Sequence, residues 1–469
     1  MSDFVPPRPP VLPKRASLLQ HLQYGLRSGI GMFLSGSYET VAVGRHPIPT
    51  MPKGDKRWLF TVRTPELIRE VLVRRAEDFP KSSLMDDMLR ALTGYSIFIS
   101  NGEAWKRHRR LMDPAFEGAR IKAVFPMMLD AVDGCVARLT AAAEESARTG
   151  EPVAVDVEMT HYAADVIFRT IYSEGMDGAA ARRFFSAFNV FQEIAYAHGM
   201  LRLAKVPTWL LPGHWRAKHA ARVIRDILGA PLKRRLAAVR RGEATPTNDI
   251  LATLMSTVDP VTGTKFDDKE LLDQIAMLFL AGHETSATAM AWALYLLAHT
   301  PDIQARAHDE AVAAYGEARP AFSHMRRLPL TRDIFREALR LYPPVAVLAR
   351  DSSQPEQMMN RQIDPGAVIF VSPWLMQRHD RHWESPHAFD PDRFETENGK
   401  AGLRDAYLPF SMGPRVCAGA SFALQEAVLL LSEALRRFEF TPAPGHVPQP
   451  VARLTLRSAN GIPLMVRRR

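Results

Sequence analysis

Phe410-Ser411-Met412-Gly413-Pro414-Arg415-Val416-Cys417-Ala418-Gly419 is the stretch on which the reading of this chain turns. One cysteine sits in a loop built around Gly413, Pro414 and Gly419, and an apolar helical pattern, Ala420 to Phe438, follows at once. Gly413-Pro414 marks a tight turn, and Gly419 is expected to let backbone approach closely. A thiol at a helix N-terminus lies near unpaired N–H groups and the positive end of the helix dipole. Arg415 adds charge two residues earlier, and both effects favour thiolate. Three readings are open for Cys417: a buried structural thiol, a catalytic nucleophile, or a metal ligand, in particular an axial thiolate to haem iron. A structural zinc site is disfavoured, because it needs about four ligands, typically with several closely spaced cysteines.

The loop fills every fixed position of Phe-x-x-Gly-x-Arg-x-Cys-x-Gly and so resembles the haem-binding loop of the cytochrome P450 family. The resemblance implies that Cys417 ligates haem iron, that Arg415 pairs with a haem propionate and that Phe410 packs beside the cysteine, with Gly419 closing the loop. A thiolate ligand pushes electron density through iron and favours O–O cleavage.

The 469-residue chain carries a formal net charge of +9 and is 46% hydrophobic. No long linker, charge block or internal repeat divides it. The expected architecture is mainly α with small β-sheets, a cytochrome P450-like single large domain around a buried haem. Residues 1–40 are expected as a Pro-rich arm and short helix packed on the body, and residues 41–469 as the haem domain. The positive charge suits an acidic protein partner; no zinc-finger spacing or RNA-binding signature points to nucleic acid. Cys135 and Cys417 are the only cysteines, which suits a reducing compartment. No segment reaches the ~18 apolar residues of a membrane span, and the Pro-rich start lacks an apolar signal region. The expectation is a cytoplasmic monomer of the soluble, bacterial type without a transmembrane anchor.

Ser17 to Leu34 has the pattern of an amphipathic helix. Trp58 to Val62 reads as a strand, and Thr64-Pro65-Glu66 opens a helix with Thr64 as cap. Phe79 to Ser100 is mixed; in the resembled family this region folds over the substrate, which makes Phe98 a candidate contact. In Asn101 to Arg110, Trp105 and Arg109 stand four apart on one helical face. The pair matches a family element that contacts haem propionates. Lys106, Arg107 and Arg110 are candidates for a basic surface where an electron donor docks. Phe184, Phe185, Phe188 and Phe191 form an aromatic stripe, and Gly199 and Pro207 are expected to interrupt the helix that carries it. The family places a mobile lid there, so Phe188 and Phe191 are candidate substrate contacts.

Asp267 to His299 is the longest apolar helical pattern, and it contains Ala281-Gly282-His283-Glu284-Thr285-Ser286. Gly costs about 1 kcal/mol in a helix interior, and Thr can bond back to a carbonyl one turn earlier. A Gly beside an acid and a Thr therefore suggests a local opening for a ligand or water. The segment resembles the family's oxygen-activating groove. That resemblance assigns Thr285 to hydrogen-bond dioxygen or a water beside it, assigns Glu284 to relay protons, and has Ala281 and Gly282 leave space over the iron. His283 has no partner at metal-ligand spacing.

Glu337 and Arg340 lie three apart on one predicted helix, and Phe389-Asp390-Pro391-Asp392-Arg393-Phe394 follows. The family joins the corresponding three charges, here Glu337, Arg340 and Arg393, beneath the haem loop. Arg350 matches a strand arginine that holds a propionate, after an apolar segment in which Val345 and Val347 are candidate substrate contacts. Gln377-Arg378 stands where relatives often have His-Arg, which weakens a propionate contact there. Leu454 to Val466 reads as a closing hairpin whose tip, near Ala459, reaches the substrate.

The resemblance implies a haem-thiolate monooxygenase holding haem b. One atom of O2 enters a hydrophobic small molecule, by hydroxylation or epoxidation. Electrons come from a separate ferredoxin or flavodoxin with its reductase, so NAD(P)H acts only indirectly, and no flavin or iron–sulfur domain is expected after residue 469. Two alternatives stay open: a non-catalytic haem-binding sensor or carrier, and an O2-independent isomerase or dehydratase of the same fold. The Glu284-Thr285 pair weighs against both.

Overall fold

A computed structural model describes residues 4–9, 17, 20, 23–24, 29, 42–48 and 57–469. The helix expected over Ser17–Leu34 lies mostly outside them. The first elements are β1 (Val43–Ile48), β2 (Arg57–Val62), α1 (Pro65–Arg69), α2 (Ser83–Thr93), α3 (Gly102–Met112) and α4 (Gly118–Thr149). Next come β3 (Val153–Ala154), α5 (Val155–Tyr172), α6 (Gly178–Leu203), α7 (His214–Arg240), α8 (Ile250–Ser256), α9 (Asp268–Ala298), α10 (Pro301–Tyr315) and α11 (Pro329–Leu341). The chain continues through β4 (Leu348–Asp351), β5 (Glu356–Met358), β6 (Arg361–Ile363), β7 (Val368–Val371), α12 (Pro373–Met376), α13 (Glu397–Asp405) and α14 (Ala420–Arg437). It ends in β8 (Phe438–Pro442), β9 (Pro450–Ala452), β10 (Leu456–Ser458) and β11 (Pro463–Arg468).

Helix α9 organises the interior. Its start is a capping box: Asp267 accepts from the Glu270 amide at 2.7 Å, and Glu270 accepts from the Asp267 amide at 3.0 Å. Its last third, from Ala289 to Ala298, is buried throughout, as a helix packed on every side must be. Neighbouring α5, α7, α11 and α14 pack against it. The Thr64 hydroxyl caps α1, with Pro65 in the first turn. The main sheet runs β1-β2-β7-β4, with β2 and β7 parallel and the outer pairs antiparallel. Among the described residues no helix is long and apolar enough to cross a membrane.

Two sequence expectations fail. Gly199 does not interrupt α6, which runs to Leu203. A Cβ there would meet the Met88 sulfur at 2.4 Å, so this glycine marks a close approach to the Met88 side chain of α2 rather than a turn. Leu454 to Val466 is not a hairpin. β10 pairs with β9, whereas β11 pairs with β8 and β3. Pro463 has no N–H to donate where a ladder with β10 would begin, and the Ile462 amide is taken by Asp156 at 3.0 Å.

Beneath the cysteine loop, Glu337 is fully buried between two guanidinium groups. Arg340 Nε and Nη2 donate to it at 2.7 and 2.8 Å, and Arg393 Nε donates at 2.9 Å. The remaining Arg340 and Arg393 donors bind the carbonyls of Gln377, Pro386, Ala388 and Glu384. Gln377 is part of this lock. Its Nε2 donates to the Leu339 and Arg340 carbonyls, and its Oε1 accepts from the Leu408 amide. The N-terminal arm closes the far side: Tyr342 donates to the Pro7 carbonyl at 2.6 Å, and the Phe4 ring stacks on His299. Glu337→Ala would leave two buried cations without their carboxylate, at a cost of about 3–5 kcal/mol. We expect loss of soluble folded protein, checked by yield and by the thermal midpoint of any protein recovered.

Candidate active site

The cysteine loop is held by short-range geometry. The Cys417 amide donates to the Phe410 carbonyl at 2.9 Å, and Gly413 adopts φ +73°. A Cβ on Gly413 would lie 2.1 Å from the Leu72 carbonyl oxygen, so the close backbone approach is at this glycine. At Gly419 a Cβ would make only ordinary contacts, 3.8 Å from Phe116 and 4.0 Å from the Cys417 sulfur.

Cys417 is accessible, yet protein surrounds it closely enough that burial pushes the thiol pKa up. The Gly419 amide and the charges of Arg109 and Lys81 pull it back without overcoming that. The helix terminus alone therefore does not make the thiolate; a bound cation would, because a coordinating thiol is deprotonated outright. Arg415 does not supply the local charge expected of it. Its guanidinium turns to the Ser100 carbonyl and Asn101 Oδ1, at 3.0 and 2.7 Å, and lies 4.3 Å above the Trp105 ring.

Three cations converge beside the loop. Among the described residues, the buried Arg350 side chain on β4 donates only to its neighbouring carbonyl, Ala349 O. Lys81 forms a backbone bridge with Arg350, and its ammonium lies 3.8 Å from the Phe98 ring centroid. Asn101 ties Lys81 to Arg415: its Oδ1 accepts from both the Lys81 amide and Arg415 Nη2. Burial lowers the pKa of Arg350 to about 10. For Arg415, also at about 10, and for Lys81, burial comes first and the neighbouring cations push the same way. Among the described residues no carboxylate pairs with any of the three. Clustered, desolvated cations beside a lone accessible thiol suit an anionic group carrying two carboxylates and a thiophilic metal, which is the chemistry of haem. Arg109 sits beside this cluster, donating to the Val416 carbonyl at 2.7 Å and pairing with Asp113.

The basic surface expected on α3 is internally neutralised. Lys106 pairs with Glu77 and Glu103, Arg107 with Glu270, and Arg110 with Asp259.

On α9 the helix stays regular through the Ala281–Ser286 segment. Thr285 Oγ1 donates to the Ala281 carbonyl at 2.6 Å. Gly282 faces α5, where a Cβ would press on Ile167 at 3.1 Å, so its smallness serves helix packing. Buried Glu284 accepts from Thr455 at 3.0 Å through Oε1, and its Oε2 has no partner among the described residues. Burial raises its pKa to about 7 against the opposing pull of Arg457 and Thr455. His283 is buried among Phe184, Phe188 and Phe279, with its pKa pushed down to about 4 by burial.

An apolar cleft lies between α2, α6 and the β4 approach, walled by Met85, Met88, Met200, Val345, Val347 and Thr455. Phe188 and Phe191 are not in its wall. Both are buried in the main core, Phe188 stacked on Phe184. Ala459 also lies outside the wall, its amide held by the Gln449 carbonyl. Thr455 joins the cleft to Glu284, a link that sequence inspection missed because one Thr between Leu454 and Leu456 carries no signal. Lys81 and Asn101 were missed because nothing local marks them as partners of residues some 250 to 330 positions away.

Residues 21–463 match the family model "Cytochrome P450". Cyclooctatin synthase of Streptomyces melanosporofaciens is 30% identical, covering 84% of this chain and 83% of the relative. Echinocystic acid 23-monooxygenase of Saponaria officinalis is 30% identical, covering 90% and 80%. The solved cytochrome P450DA heme domain superposes with a TM-score of 0.80 over 99% of this chain and 98% of that one, at 24% identity, a likeness of fold. The chain belongs to the cytochrome P450 family. It is an oxidoreductase, a P450-type monooxygenase, a class that uses haem and O2.

Glu284 also sets a pH dependence. Its folded pKa of about 7 lies above the ordinary carboxyl value of 4.5, so the folded state holds the extra proton and stability falls as pH rises between the two. Glu284→Gln should flatten that fall, read as thermal midpoints compared at pH 5 and pH 8.

Proposed function

We propose that the protein inserts one atom of O2 into a hydrophobic small molecule. Two electrons come singly from a separate ferredoxin or flavodoxin, and NAD(P)H acts only through that partner's reductase. The balance is substrate C–H, O2, two electrons and two protons giving C–OH and water. Haem b, when bound, supplies the oxygen chemistry. Cys417 would hold its iron, and Arg350, Arg415 and Lys81 would hold its propionates, with Trp105 and Arg109 bracing that side. The relatives' names span several substrates and select none; the thioether-rich, apolar wall of the cleft selects an apolar substrate.

One observation supports turnover above all: Glu284 is a buried acid titrating near neutrality, bonded on one oxygen to the cleft wall through Thr455 and free on the other to pass a proton. The Thr285 hydroxyl proton is committed to the Ala281 carbonyl, so its oxygen acts first as an acceptor that orders a water beside the reacting atoms. Gly282 keeps that stretch of α9 tight against α5.

The reduced carbon monoxide spectrum of purified protein tests the ligand. A thiolate-type band is expected; colourless protein after haem supplementation, or a histidine-type band, overturns the reading. With a surrogate reductase, Thr285→Ala should keep consuming NAD(P)H while product falls by about 100-fold, measured as product formed per NAD(P)H oxidised.

A further inference from the structure

Thr455 belongs to two places at once. It lines the apolar cleft, and its hydroxyl donates to buried Glu284 on α9 at 3.0 Å. The segment that carries it is fixed on both sides. One turn along α9 from Glu284, the Thr288 hydroxyl donates to the Leu456 carbonyl at 2.6 Å. The Leu456 amide donates at 2.8 Å to the carbonyl of Pro344, another residue of the cleft wall. Residues 284 and 288 share a helical face. These bonds therefore hold α9, the turn between β9 and β10, and the cleft wall together as a unit.

Among the described residues the charge acting on Glu284 is that of Arg457 on β10. His283 is turned into the Phe184, Phe188 and Phe279 rings, and His161 of α5 lies against Phe185. Glu426 of α14 is engaged by Ser286, and Arg453 in the cleft wall lies over the Tyr196 ring. The proton balance of Glu284 is thus set by desolvation, opposed by Arg457 and by the Thr455 bond. A hydroxyl that gives its proton away still accepts through oxygen, and a partner donating to that oxygen strengthens the bond onward. An apolar molecule lying on Thr455 denies water to that oxygen and to the acid behind it. Both effects favour the neutral carboxyl.

We propose that Thr455 is a positioning residue through which an apolar occupant of the cleft tightens the hold of Glu284 on its proton. The coupling is reciprocal: if occupancy favours protonation, protonation favours occupancy by the same factor. The acid is then loaded with a proton when the cleft is filled. That use of the coupling rests on the proposed role of Glu284 in turnover; the coupling itself is measured without electrons.

Equilibrium dialysis of the oxidised holoprotein against phenanthrene, which is neutral at every pH, tests it. Burial pushes Glu284 to about 7, so affinity should be full at pH 6 and about 5-fold weaker at pH 8. That is the loss given by a carboxyl whose proton affinity rises about tenfold on binding. Glu284→Gln should bind equally at both. Thr455→Val removes the hydroxyl bond that opposes protonation, so it should shrink the loss and shift it to higher pH. Thr455→Ser should restore the wild-type profile. Absence of phenanthrene binding, pH-independent binding by the wild type, a loss that survives Glu284→Gln, or a Thr455→Val profile equal to that of the wild type overturns the inference. A thiolate-type carbon monoxide band beside any of those outcomes leaves the oxidation reading standing.

Discussion

Glu337 is fully buried with two arginines upon it, and the surrounding backbone is arranged to keep that arrangement intact. A carboxylate and two guanidinium groups cannot be desolvated cheaply, so each remaining lone pair and N–H must find a partner. Those partners come from far apart: carbonyls of Gln377, Pro386, Ala388 and Glu384, and the Asp390 amide. By recruiting them, one buried anion joins α11 to the segments after α12 and to the Asp390–Arg393 turn. Gln377, which holds both α11 carbonyls and the Leu408 amide, carries the constraint on toward the cysteine loop.

The same cost of burying charge governs the functional site, with the balance left open instead of closed. Glu284 keeps one oxygen unpartnered and titrates near neutrality. Cys417 is pushed toward the thiol, and Arg350, Arg415 and Lys81 are pushed toward neutrality with no carboxylate among the described residues to answer them. A satisfied network locks the scaffold. An unsatisfied one marks where a ligand, a proton or a cofactor completes the balance.

Much of the site was legible because its chemistry is carried by short spacings. Cys417 seven residues after Phe410, Thr285 beside Glu284, and Glu337 three before Arg340 are local patterns, and each stands in the structure on the loop or helix expected. Readings that needed a distant partner went astray. Arg415 was assigned to the cysteine by proximity in sequence, yet it turns to Asn101 and Trp105. Gly199 looked like a breaker, but it lies inside α6 with the Met88 side chain packed on it. Phe188 and Phe191 looked like lid residues, but both are buried in the core, Phe188 against His283 of α9.

The sequence by itself determined the family, the helical class and the residue types able to do the chemistry, because helical periodicity and motif spacing are properties of contiguous chain. Tertiary structure alone decided which cations share a site, that β10 and β11 join different sheets, and that Glu284 rather than His283 titrates near neutral pH. Desolvation, charge proximity and strand pairing are sums over elements hundreds of residues apart, and no local window contains them.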